Sequence, residues 1–185
     1  MTNPPMILLD VDGALSADAI GNPAAYGYVE HLLPEGRVVL SDTVCARVGQ
    51  LRERGELIWC TGWGEKANSA LRPLTGWPEL PVLDLTASRV AYAEARGLGK
   101  LVPFPDHTWK LDAVKAYVGE DRPVVWIDDQ LGFDVQAWAK ERPGPTALLA
   151  VAANEGIQEG QLDRLDVWLD APPTGATMIF PERDL

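Results

Sequence analysis

Basic side chains are in short supply in this sequence. Lys and Arg together number 16 against 27 Asp and Glu, which sets the formal net charge at −11. Nucleic-acid affinity rests largely on basic residues that release counterions from phosphates, so the deficit counts against a phosphate-tracking groove. It also opposes attraction to an anionic membrane surface. It does not exclude a small phosphorylated ligand, for which local charge and a metal ion decide. Histidine is nearly absent, and His31 and His107 stand too far apart to form a local metal motif. Cys45 and Cys60 fit neither a zinc spacing nor a disulfide framework, so reduced thiols packed in the core of a cytoplasmic protein are expected. No apolar run approaches the roughly 18–20 residues of a membrane-spanning helix. The short run Met6–Leu9, with no basic residue before it, does not read as a signal peptide.

What is present is an alternation of short apolar runs with longer amphipathic stretches. At 185 residues the chain suits one domain over 1–185. Met6–Leu9, Leu57–Cys60, Pro123–Ile127 and Ala147–Val151 read as buried strands. Leu80–Leu85 reads as a further short strand, with Pro81 confining it to an edge. Tyr26–His31 and Arg37–Leu40 flank Pro34-Glu35-Gly36 as a hairpin. Helices are expected from a cap at Ser41 or Asp42 to Arg54, with Gly55 closing it. Others are expected over Glu65–Leu71 (stopping before Pro73), Ser88–Arg96, Trp109–Val118, Phe133–Arg142 and Gln161–Leu169. In Trp109–Val118, Leu111, Val114, Tyr117 and Val118 share a side. The tail, about 172–185, carries no assigned element. Strands separated by helices predict an α/β fold with a mostly parallel sheet, and the ligand site then lies beyond the carboxyl ends of the strands.

Three of those ends carry polar residues. Asp10-Val11-Asp12-Gly13 places two carboxylates just past a buried strand, a costly arrangement unless a cation or hydrogen bonds hold them. One carboxylate can attack a phosphoryl group, and the other can protonate a leaving oxygen. Gly13 permits the sharp turn. Thr61, in Cys60-Thr61-Gly62-Trp63-Gly64, offers a hydroxyl to an anion or caps a helix. Those glycines lack the third member of a dinucleotide-binding fingerprint. Lys110 opens a helix, against the helix dipole, and a neighbouring carboxylate or phosphate would account for it. Asp128-Asp129 ends the third strand, where adjacent carboxylates suit Mg2+, a cation that needs only one or two protein carboxylates. Each of these also suits a polar turn, a cap or a solvated lysine.

The order Asp10-x-Asp12-Gly13, Thr61, Lys110, Asp128-Asp129 resembles the haloacid dehalogenase superfamily of phosphohydrolases. The resemblance implies a Rossmann-like three-layer sandwich and a Mg2+-dependent phosphatase acting on a phosphate monoester. Asp10 would be the nucleophile that becomes aspartyl-phosphate, and Asp12 the general acid and base, its backbone carbonyl also touching Mg2+. Thr61 would bind phosphoryl oxygens, and Lys110 would neutralise Asp10 and the phosphate. Asp128 would ligate Mg2+, and Asp129 would assist there, with Asp134 as a further acid at a related spacing. Ala14 stands where the family has threonine. The lost hydroxyl keeps open a second reading, a catalytically weak binding or regulatory domain. A phospho-receiver module would place its acidic pair before the phosphorylated aspartate, whereas here the pair comes last.

The stretches between these motifs are too short for a full cap domain, which implies a cap-poor form with a hairpin flap over about 14–40. An open site is also similar to small domains of this superfamily in RNA-repair proteins and to polynucleotide phosphatases, although the −11 charge argues against a nucleic-acid partner. Trp59 and Trp126 are expected in the core. Trp63, Trp109 and His107 are placed beside the site by their neighbours in sequence.

Overall fold

A computed structural model describes residues 3–18, 20–95, 97 and 108–181 of the chain; His107 lies outside them. Five strands, β1 (Met6–Leu9), β4 (Glu56–Trp59), β5 (Val124–Asp128), β6 (Thr146–Ala150) and β7 (Ala176–Ile179), form a parallel sheet in the order β4-β1-β5-β6-β7. Two more, β2 (Val29–Leu33) and β3 (Gly36–Leu40), form the antiparallel hairpin. The helices are α1 (Asp42–Gln50), α2 (Lys66–Thr75), α3 (Thr86–Ala95), α4 (Thr108–Val118), α5 (Phe133–Glu141) and α6 (Glu159–Asp170). None is long and apolar enough to cross a membrane.

The two-residue period of the strands sorts their side chains into two cores. Ile7, Leu9, Leu57, Trp59, Val125, Ile127 and Leu149 face α1, α2 and α6, where Val44, Val48, Leu71, Leu165 and Trp168 close the layer. Met6, Leu8, Ile58, Val124, Trp126 and Leu148 face α4 and α5, against Leu111, Val114, Val118 and Val135. The result is a Rossmann-like sandwich of helices, sheet and helices. Trp59 and Trp126 are buried, one in each core. Trp59 stacks on Trp77, and Trp126 meets Trp138 edge-on. Both cysteines are free and buried.

Several expectations change. Helix α1 ends at Gln50 and continues as a tight turn over Leu51–Glu53. Gly55 does not adopt the left-handed closing conformation; it lets the chain pass close to the Pro5 carbonyl. Helix α2 runs through Pro73 to Thr75. Leu74 packs on the core there, and the Thr75 hydroxyl donates to the Leu71 carbonyl at 3.0 Å, so tertiary contacts outweigh the missing proline N–H. Tyr117 is exposed, not part of the buried side of α4. Leu80–Leu85 forms no strand: it meets the sheet through one bridge, Val82 to Trp59. The tail supplies β7, paired along β6 from Ala176 opposite Thr146.

The hairpin is fastened at β3. Val38 and Leu40 enter the core, and the Val39 N–H donates to Ser16 Oγ at 3.0 Å. Strand β2 faces outward, with Leu32 80% exposed. Among the described residues, β2 and β3 with the short turn at Pro23–Tyr26 are the only regular elements between β1 and α1.

Candidate active site at the carboxyl ends of the strands

Strand β1 has β4 on one side and β5 on the other, with Leu9 opposite both Trp59 and Ile127. Chain connections leave in opposite directions at such a point, opening a crevice at the strand ends. The residues that follow these strands converge there. Asp10 continues β1 and donates its N–H to the Ile127 carbonyl at 3.0 Å. The strand period places Asp10 and Asp128 on the face of Leu8 and Trp126, the face that α4 covers. Lys110, in the first turn of α4, projects back over the strand ends.

Lys110 Nζ lies 2.8 Å from Asp10 Oδ2 and 2.7 Å from Asp128 Oδ2, and all three side chains are nearly excluded from water. This arrangement answers the sequence puzzle of a lysine at the wrong end of a helix dipole. Burial disfavours its charge, but the two carboxylates outweigh burial and hold its pKa above the usual lysine range. Asp128 also accepts from the Trp126 indole at 3.2 Å and from the Gln130 N–H at 3.1 Å. Burial, partly offset by Lys110, pushes Asp10 up to about 7.

Asp129 sits beside this pair. Each of Asp10, Asp128 and Asp129 offers an oxygen within 4.8 Å of the others. Asp129 Oδ2 accepts from the Gln130 amide at 2.8 Å, while Oδ1 is buried with no hydrogen-bond partner. Burial, then the charges of Asp128 and Asp10, push Asp129 up to about 8. Gly13 makes the approach possible: its φ is +72°, and a Cβ there would stand 2.7 Å from Asp129 Oδ2. When all three carboxylates are ionised, the single ammonium leaves the cluster two charges negative, which is the strain these raised pKa values express. The unpartnered buried oxygen and the hard oxygen donors are a set that could hold a metal ion.

Asp12 takes a different direction. Its carboxylate stays exposed and accepts the Trp63 indole N–H at 2.8 and 2.9 Å. Partial burial of the carboxylate raises its pKa, and the Trp63 hydrogen bond opposes the shift. Its carboxylate is not among the grouped oxygens. Thr61 is buried, and its hydroxyl accepts the Trp63 N–H at 3.4 Å. It is not the cap of α2, which begins at Lys66. A hydroxyl used as acceptor retains its proton to donate. Asp134 stays in the first turn of α5, where Oδ1 accepts the Val135 N–H at 2.9 Å, and does not join the group. Ala14 is fully buried in the turn after Asp12.

Trp63 was legible only as a neighbour of the site; its bond to Asp12 depends on the loops after β1 and β4 lying side by side. The Trp126 contact had a signal in sequence, since residues two apart share a strand face. Comparisons with family models, curated proteins and solved structures find no match for this chain.

Proposed function

We propose that the protein is a Mg2+-dependent phosphohydrolase that acts on a phosphate monoester through an aspartyl-phosphate on Asp10. The observation that carries this reading is the buried Lys110 ammonium shared by Asp10 and Asp128, with Asp129 in reach of the same point. Asp10 Oδ attacks phosphorus, forming the O–P bond of the aspartyl-phosphate as the bond to the leaving alcohol breaks. Asp12, acting as general acid, gives a proton to the departing oxygen. It then takes a proton from water, which attacks the phosphorus, releases phosphate and frees Asp10. Lys110 favours the Asp10 anion against burial and offsets phosphoryl charge, and Thr61 donates to a phosphoryl oxygen. Asp10, Asp128 and Asp129 would hold the metal, which when bound supplies Lewis-acid polarisation and charge neutralisation. A cytoplasmic location accords with two free, buried thiols.

The test is hydrolysis of 4-nitrophenyl phosphate with MgCl2. Activity is expected to vanish in EDTA and to fall about a thousandfold or more in Asp10→Asn, with the variant's circular dichroism unchanged. Wild-type rates in Asp10→Asn, or turnover indifferent to EDTA, would remove the mechanism.

A further inference from the structure

A cleft of about 410 Å3 opens beside the site, walled by the loop after β4 and the stretch 82–89. Its volume falls at the small end of small-molecule sites, which span roughly 300–1,000 Å3. Thr61, the residue assigned to the phosphoryl group, lies at one wall, and Trp109, next to Lys110 in the chain, at another. The Trp109 ring centroid is 5.6 Å from Lys110 Nζ, which itself touches Asp10. Trp63 lines the cleft while its indole N–H holds Asp12. Trp63 thus joins the carboxylate of Asp12 to the wall of the cleft.

The lining is aromatic and aliphatic: Trp63 and Val82 are half-buried at its surface, and Trp109, Leu83 and Leu85, buried in the core, close it from behind. The charged lining is Glu65 and Asp84 against Arg89, one cation among two acids. A second phosphate in this space would meet more negative than positive charge. We infer that the cleft receives the leaving alcohol of the substrate, and that this alcohol is uncharged and carries a planar ring, as in an aryl phosphate or a nucleoside monophosphate. The inference rests on the phosphohydrolase reading, and it separates that reading from a polynucleotide phosphatase, whose substrate brings adjacent phosphodiesters.

The experiment has a binding arm and a turnover arm. In the first, the Mg2+-loaded protein is titrated with a nucleoside carrying no phosphate while the tryptophan indole N–H resonances are followed, with Trp63 and Trp109 assigned by Trp→Phe substitution. Shifts confined to these two at millimolar nucleoside are expected. In the second, kcat/KM for phenyl phosphate and a nucleoside 5′-monophosphate is expected to exceed that for glycerol 3-phosphate and a nucleoside 3′,5′-bisphosphate by about tenfold or more, as ring burial on indoles implies. Thr86→Trp, from the exposed rim of the cleft, is expected to collapse that ratio. Arg89→Trp, one turn along α3, replaces it if Thr86→Trp does not fold. Equal turnover of all four esters, preference for the bisphosphate, a ratio untouched by the filled cleft, or silent indoles would each overturn the inference. Indole shifts with no hydrolysis of any ester would instead overturn the phosphohydrolase reading and leave the ring site standing.

Discussion

Replacing Lys110 with methionine keeps much of the side chain's volume and removes its charge. The lysine is 3% exposed and lies within 2.8 Å of one carboxylate and 2.7 Å of another. Removing one partner from a buried ion pair costs about 3–5 kcal/mol, because the charge left behind is neither solvated nor paired. For a domain of this size each kcal/mol moves Tm by about 2–4 °C, so Lys110→Met is expected to melt roughly 6–20 °C lower in EDTA at pH 8.5. The carboxylates have an escape, which fixes the sign of the pH effect. Asp10 already titrates near 7 in the presence of the lysine, and without it the folded protein binds that proton more tightly. The folded state then holds more protons than the unfolded chain, so its stability rises as pH falls from about 8 toward the ordinary aspartate range. Thermal melts at pH 8.5 and 5.5, with and without MgCl2, test this. The deficit is expected to shrink at pH 5.5 and to shrink with Mg2+ at pH 8.5. A loss under about 2 °C, or a loss identical at both pH values, would show that Asp10 and Asp128 do not depend on this buried ammonium.

Two further expectations follow from the same geometry. Asp10 and Asp129 titrate near 7 and 8 without metal, so protons compete with Mg2+; calorimetric titration is expected to show tighter binding at pH 8.5 than at pH 6, and Asp129→Asn is expected to flatten the difference. Asn68 is buried and brackets the stretch after α2: it accepts from the Trp59 indole at 3.0 Å and the Leu80 N–H at 2.9 Å, and donates to the Leu80 carbonyl at 2.8 Å. Asn68→Leu strands those groups at about 1–3 kcal/mol each, so denaturant unfolding is expected to show a loss of several kcal/mol, larger than most surface substitutions give.

Much of this site was readable because a parallel sheet writes itself plainly. Met6–Leu9 and Val124–Ile127 are apolar throughout, since both faces are covered, and each run stops abruptly at an aspartate. Those boundaries locate Asp10 and Asp128, and Thr61 follows two residues after Trp59 by the same logic. Lys110, at an unfavourable helix end, already called for a neighbouring carboxylate or phosphate; strand parity and the position of α4 decide that Asp10 and Asp128 are the carboxylates it meets. What stayed hidden depends on elements far apart in sequence. The Trp63–Asp12 bond joins two loops, and the Asn68 bracket ties α2 to a segment with no regular structure. Strand β7 was missed because Ala176-Thr177-Met178-Ile179 is short, only partly covered and preceded by two prolines. The expected strand at Leu80–Leu85 failed for the converse reason: its apolar residues are buried by packing onto the α4 side and around Trp77, not by pairing.

That single bridge at the sheet's edge also bears on self-association. An uncovered edge strand offers its ladder to any neighbouring molecule. On β4 the last rung is taken: Trp59 donates to the Pro81 carbonyl at 2.9 Å and accepts from Leu83 at 2.8 Å. Pro81 has no N–H with which to extend the pairing, and the first rung carries Glu56, paired with Arg122 at 2.7 Å. Only Leu57 and Ile58 remain between a charge and a plug, too short a template for an incoming strand. The wall of the cleft is therefore also the guard of the edge, and substitutions between 81 and 83 should be scored for solubility as well as for turnover.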